Sequence, residues 1–133
     1  MRWIDRSKVA KVAKSPPGLT HLRVTFTDDF YIGPGRADLL EGIAETGSIS
    51  AAGKRMGMSY KRAWSLVQAM NEGWHALLVE TSRGGAGQGG ATLSDDGAMV
   101  LARYRAMQAA TRSAIAADVA AVGKRLGEAA RKK

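Results

Sequence analysis

Ser59, Tyr60, Lys61 and Arg62 are consecutive, and Ser65 follows within one turn of a helix. In the first turn of a helix these residues present an arginine fork, an ammonium and several hydroxyls at one exposed end. A guanidinium can bind guanine O6 and N7 together, and an ammonium holds a phosphate as a point charge. The chemistry this set suits is recognition of duplex DNA by a helix entering the major groove. Ser59 has a second duty as the helix N-cap, and the free N–H groups beside a cap attract phosphate. Tyr60 has two open roles, packing on Trp64 across one turn or reaching DNA. Trp64, Met56 and Met70 read as core residues.

A second feature is Arg83-Gly84-Gly85-Ala86-Gly87-Gln88-Gly89-Gly90, a glycine-rich loop between two short strand-like runs, Leu77 to Glu80 and Ala91 to Leu93. Arg83, Gly84, Gly85 and Gln88 are its candidate DNA contacts, with Arg36 as a further backbone contact. A nucleotide cradle of the Walker A type needs Gly-Lys and Ser or Thr at the start of a helix. Here Gly90 is followed by Ala91-Thr92-Leu93, so that reading fails. His21 and His75 are the only histidines, and neither stands in a metal or triad arrangement. With no cysteine, disulfides, thiol catalysis and cysteine-ligated metals are excluded. The chain reads as a non-enzyme with no catalytic residues, metal site or cofactor.

These residues need elements to hold them. Lys8 to Lys14 alternates basic and small apolar residues, as either a frayed amphipathic helix or a disordered arm, and Ser15-Pro16-Pro17-Gly18 ends it. Leu19 to Tyr31 alternates in part, with Leu22, Val24 and Phe26 on one side of a strand and Arg23, Thr25 and Thr27 on the other. Asp28-Asp29 marks a bend. Pro34 opens a helix whose buried stripe is Leu39, Leu40 and Ile43, and Gly47 stops it. Ser48 caps a second helix over about 49–56, Gly57 turns the chain through positive φ, and Ser59 caps the third, to about Asn71. Ala63, Val67 and Met70 form its apolar stripe. Ser94 caps a long last helix, with Asp95 and Asp96 at its positive end and Gly123 and Gly127 fraying its other end. Leu101, Tyr104, Ile115, Val119, Val122 and Leu126 follow coiled-coil-like spacing, interrupted by Gln108 and Thr111. A second copy of the chain is expected to cover this seam.

The fold class is therefore mainly α with a small β component: a winged helix-turn-helix with an N-terminal strand region and a long C-terminal dimerisation helix. Residues 1–18 form a basic arm, 19–94 the DNA-binding domain, and 95–133 the dimerisation helix with a basic tail. The formal charge is +8, and a balance of this sign favours polyanion partners. It is unevenly spread. Arg36 faces Asp38, Glu41 and Glu45 in the first helix, whereas Lys54, Arg55, Lys61, Arg62 and Arg83 outweigh Glu72 and Glu80 across the motif and wing. No run approaches the roughly 18 apolar residues of a spanning helix, and Met1 to Lys14 lacks the apolar stretch of a signal peptide. A cytoplasmic, nucleoid-associated protein without membrane contact is expected.

At the level of whole phrases, the sequence resembles the N-terminal DNA-binding domain of the ModE family of molybdate-responsive bacterial regulators. The matching phrases are Gly47-Ser48-Ile49-Ser50, Gly57-Met58-Ser59-Tyr60-Lys61, Ala63-Trp64, Ala69-Met70-Asn71, Leu78-Val79-Glu80 and Gly89-Gly90-Ala91-Thr92-Leu93-Ser94. It is similar, more distantly, to LysR-type winged helices. The resemblance implies a three-helix core, a two-stranded wing and a dimerising helix, and it places DNA contacts on Ser59, Tyr60, Lys61, Arg62, Ser65 and the 83–90 loop. Full-length members continue into molybdate-binding barrels, while this sequence stops at Lys133, so no intrinsic molybdate binding is expected. Ala86 stands where many relatives carry a basic residue, which leaves Arg83 as the main cation of the wing.

Three functions compete. The leading one is a homodimeric, sequence-specific transcription regulator whose two recognition helices enter successive major grooves about 34–36 Å apart. The second is a non-specific nucleoid-type or RNA-binding protein, favoured by the basic arm and tail but disfavoured by the deep, narrow major groove of RNA. The third is a winged-helix scaffold acting through protein contacts alone.

Overall fold

The computed structural model describes residues 18–82 and 89–131. They fall into two compact units, one of residues 21–108 and one containing 109–131. The expected 1–18 arm, apart from Gly18, and the wing residues Arg83, Gly84, Gly85 and Gln88 lie outside the described residues.

The first unit opens with an antiparallel pair, β1 (Val24–Thr27) and β2 (Phe30–Ile32). Val24 pairs with Ile32, Thr25 with Tyr31 and Thr27 with Phe30, so the register slips at Phe26. This corrects the expected alternation. An extra residue in one strand disrupts the ladder and re-aims its side chain, and Phe26 is 51% exposed. Phe30 and Ile32 supply the buried side chains instead.

Three helices follow: α1 (Pro34–Thr46), α2 (Ile49–Arg55) and α3 (Tyr60–Gly73). Their starts and stops are local chemistry. Pro34 begins α1, and Gly47 ends it in the left-handed region at φ 74°. The Ser48 hydroxyl accepts from Ala51 N at 3.0 Å, and the Ser59 hydroxyl from Arg62 N at 3.1 Å. The helices meet at small residues. A Cβ added to Gly42 would lie 2.9 Å from Ala52 Cβ, and one added to Gly53 would lie 2.8 Å from Ala63 Cβ. Leu39, Leu40, Ile43, Ala63, Val67 and Met70 fill the space between the helices and are almost fully buried.

β3 (Val79–Ser82) and β4 (Gly90–Leu93) form the wing pair, in the register Val79 with Leu93 through Ser82 with Gly90. Leu77, expected to start this strand, precedes it and is exposed, while Leu78 is buried. α4 (Asp95–Arg131) then runs without a break through Gly123 and Gly127, both of which were expected to fray it. Ser94 caps α4, accepting from Gly97 N at 3.0 Å.

Within residues 21–108, α4 closes the core. Tyr104 is 1% exposed, and its hydroxyl donates to Leu22 O at 2.6 Å. Arg105 reaches Asp38 and Glu41 on α1, each at 2.8 Å. Burial acts to lower the Arg105 pKa, but its hydrogen bonds to the two carboxylates outweigh this and hold it above the ordinary arginine value. Among the described residues, no helix is long and apolar enough to cross a membrane.

Candidate nucleic-acid interface

The turn between α2 and α3 is set by backbone bonds. Met56 N and Met58 N both donate to Gly53 O at 3.0 Å, and Gly57 N donates to Lys54 O at 3.0 Å. Gly57 sits at φ 71°, a conformation open to glycine at little cost. Ala63, Val67 and Met70 face inward from α3, which turns Ser59, Tyr60, Lys61, Arg62 and Ser65 toward solvent. Neither Lys61 nor Arg62 has an acidic partner among the described residues. Arg55, by contrast, is held by Glu45 at 2.8 Å.

The structure brings Tyr60 and Trp64 together. Their ring centroids lie 6.4 Å apart with planes 15° from parallel, and Tyr60 keeps 57% of its surface exposed. Both readings of Tyr60 are thus physically compatible: the stack fixes the ring and leaves the hydroxyl end open. Trp64 and Tyr60 also wall a cleft of about 480 Å³, closed by Ser48, Ser50, Thr81, Ser82 and Gly90. The starts of α2 and α3 and the two wing strands therefore border one concave, hydroxyl-lined surface.

Asn71 anchors the wing to α3. Its Oδ1 accepts from Leu78 N at 2.8 Å and Val79 N at 3.1 Å, and its Nδ2 donates to Val79 O at 3.1 Å. Farther along, the Ser94 hydroxyl donates to Leu77 O at 2.7 Å, and the Trp74 indole N–H donates to Asp96 at 2.9 Å. The resemblance contains Asn71, but its type alone did not reveal this task. An asparagine in the last turns of a helix has local partners available, and only the tertiary fold selects the strand.

The remaining predicted residues are dispersed. Arg36 lies at the start of α1, packed on the Tyr31 ring and donating to Tyr31 O at 3.2 Å. The seam divides. Tyr104 is consumed by the core of its own chain, a correction to its place on a dimer surface, while Leu101 is half-buried against that core. Burial there follows from the Leu22 bond and the packing of α4 on the body. Ile115, Val119, Val122 and Leu126 belong to the second unit, where Val122 and Leu126 are 69% and 70% exposed.

No family model matches the chain. It is 46% identical over 78 residues to the molybdenum-pterin-binding protein MopB of Rhodobacter capsulatus, a stretch that is 59% of this chain and 29% of that protein. It is 39% identical over 83 residues to the DNA-binding transcriptional dual regulator ModE of Escherichia coli K12, covering 62% of this chain and 32% of the relative. The transcriptional regulator ModE of Yersinia pestis is 42% identical over 74 residues, 56% of this chain and 28% of that protein. The matches span about a third of the length of these relatives. Two of the three are named as regulators. Three close-packed helices, a capped and exposed third helix, a two-stranded wing and these identities together show that the chain carries a ModE-like winged-helix domain.

Proposed function

We propose that the chain is a sequence-specific double-stranded DNA-binding transcriptional regulator that acts as a homodimer. The observation that carries this reading is the cap and first two turns of α3, where Ser59, Tyr60, Lys61, Arg62 and Ser65 are exposed on a helix braced on its other side by α2. Arg62 reads a base edge, Lys61 holds phosphate, and the 83–90 loop with Arg83, Gly84, Gly85 and Gln88 reaches the flanking backbone. The names of the ModE relatives support the DNA reading. Ile115, Val119, Val122 and Leu126 form the dimer seam; residues 19–94 carry DNA binding, and of the 95–133 helix the stretch to Gln108 packs with that body while the remainder carries dimerisation. The protein works in the cytoplasm on the nucleoid.

Selection from a random duplex library tests this directly. Enrichment of an inverted repeat with half-sites about one helical turn apart is the expected result. Equal retention of all duplexes would place the chain among non-specific binders, and preference for duplex RNA in competition would overturn the class.

A further inference from the structure

A second basic surface lies beside the recognition helix; it joins Arg36, expected as a backbone contact, to Arg23 and Tyr31, which have no part in the proposed contacts so far. Tyr31 projects from β2, and two guanidinium groups flank its ring, Arg23 Cζ at 3.6 Å from the centroid and Arg36 Cζ at 3.8 Å. Two planar cations at that height cannot share a face, so the ring is sandwiched. Stacking of this kind orders an arginine while leaving its N–H edge free to bind. Arg36 Nη1 donates to Tyr31 O at 3.2 Å and its Nε is buried without a hydrogen-bond partner, so Nη2 is the edge this guanidinium has to offer a ligand.

These groups line a cavity of about 230 Å³, together with His21 and with Arg62 of the recognition helix. Among the described residues, no carboxylate lines it. Gly35 and Arg36 also line it as the first turn of the 13-residue α1, whose N-terminus has no side-chain cap and no acidic residue. First-turn N–H groups lack intrahelical acceptors and favour an anion. Three arginines gathered without an acid repel one another, and a bound anion removes that repulsion.

We propose that this cavity is a seat for one phosphate of the DNA backbone, held by Arg23 and Arg36, with Tyr31 as the residue that positions both. The inference rests on the DNA-binding reading. Arg62 supplies the reason for choosing a backbone phosphate over a free oxyanion. It belongs at once to the cavity wall and to the exposed first turn of α3. A phosphate seated here therefore sets the register of the recognition helix along its groove.

The test compares wild-type protein with Arg23→Gln and Tyr31→Leu on a selected operator and a scrambled duplex across a salt series. Circular dichroism confirms that each variant is folded. Arg23→Gln is expected to weaken both duplexes alike, by roughly three- to tenfold, and to lower the salt slope by about 0.9. Tyr31→Leu removes no charge and is expected to weaken binding with little change in slope. Scanning the operator with single neutral methylphosphonates is expected to reveal one position at which wild type and Arg23→Gln become equal.

Wild-type binding with an unchanged Arg23→Gln isotherm would overturn the seat and leave the DNA reading standing. Failure of the wild type to bind any duplex would remove both. Saturable calorimetric binding of inorganic phosphate or molybdate, lost in Arg23→Gln while duplex affinity is retained, would assign the cavity to a free oxyanion and overturn the backbone assignment.

Discussion

Lys61 and Arg62 are neighbours, yet their chemistry separates them. A guanidinium fork can bind the two acceptors on a guanine edge, whereas an ammonium at a phosphate carries no sequence information. Arg62→Ala is therefore expected to narrow the gap between operator and scrambled duplex by about 1–3 kcal/mol. Lys61→Ala should lower both affinities together and reduce the salt slope by about one charge. Fluorescence anisotropy on both duplexes measures the two effects, and a loss of specificity with Lys61→Ala alone would reverse the assignment. The positions of both residues were legible because helix caps are local: Ser59 bonds a backbone N–H three residues away, and Gly57 makes the turn from its own φ. Arg23 was legible as an outward strand residue, but not its partner. Its place over Tyr31 depends on the hairpin register, which pairs Tyr31 with Thr25 and so leaves Arg23 diagonal to that ring.

At the scale of elements, the wing is held at its base by two kinds of contact. Asn71 satisfies three backbone groups around Leu78 and Val79. Asn71→Ala leaves them without those partners and is expected to cost about 2–4 kcal/mol, read as a lowered midpoint in urea. Gly97 is the other contact. A Cβ there would collide with Leu78 O, and backbone cannot yield as a side chain does. Gly97→Ala is expected to destabilise by about 1–3 kcal/mol, while Gly35→Ala, with nothing near its Cβ, is expected to show no comparable loss. Equal melting temperatures for Gly97→Ala and wild type would refute the collision. Helix ends were readable from single residues. The β1 bulge was not, because register is a property of two strands and Phe26 carries no mark that it will be the unpaired residue.

For the whole molecule, the proposed assembly turns on α4. The seam expectation treated its apolar positions as one stripe, but residues through Gln108 belong with the body and those from Ala109 with the second unit. The Tyr104 hydroxyl meets a carbonyl 82 positions earlier in the chain, a pairing that periodicity cannot encode. The proposed dimer seam then rests on Ile115, Val119, Val122 and Leu126. Val122→Glu with Leu126→Glu is expected to shift light scattering from dimer to monomer at micromolar concentration and to lower operator affinity by at least tenfold, since a second half-site no longer binds in the same event. A doubly substituted protein that remains dimeric would move the interface elsewhere.

The Tyr60–Trp64 stack has a use beyond holding a ring in place. An indole beside the cleft proposed to face DNA is an optical probe built into α3, while Trp74, bonded to Asp96 and 5.0 Å from the Phe30 ring, reports on the integrity of the body. In a Trp3→Phe background, which leaves Trp64 and Trp74 as the emitters, emission is expected to change on adding duplex at concentrations far too low to perturb folding, and Trp64→Phe should abolish that signal while retaining the emission change on unfolding. Binding and folding would then be read from two colours of one unlabelled protein.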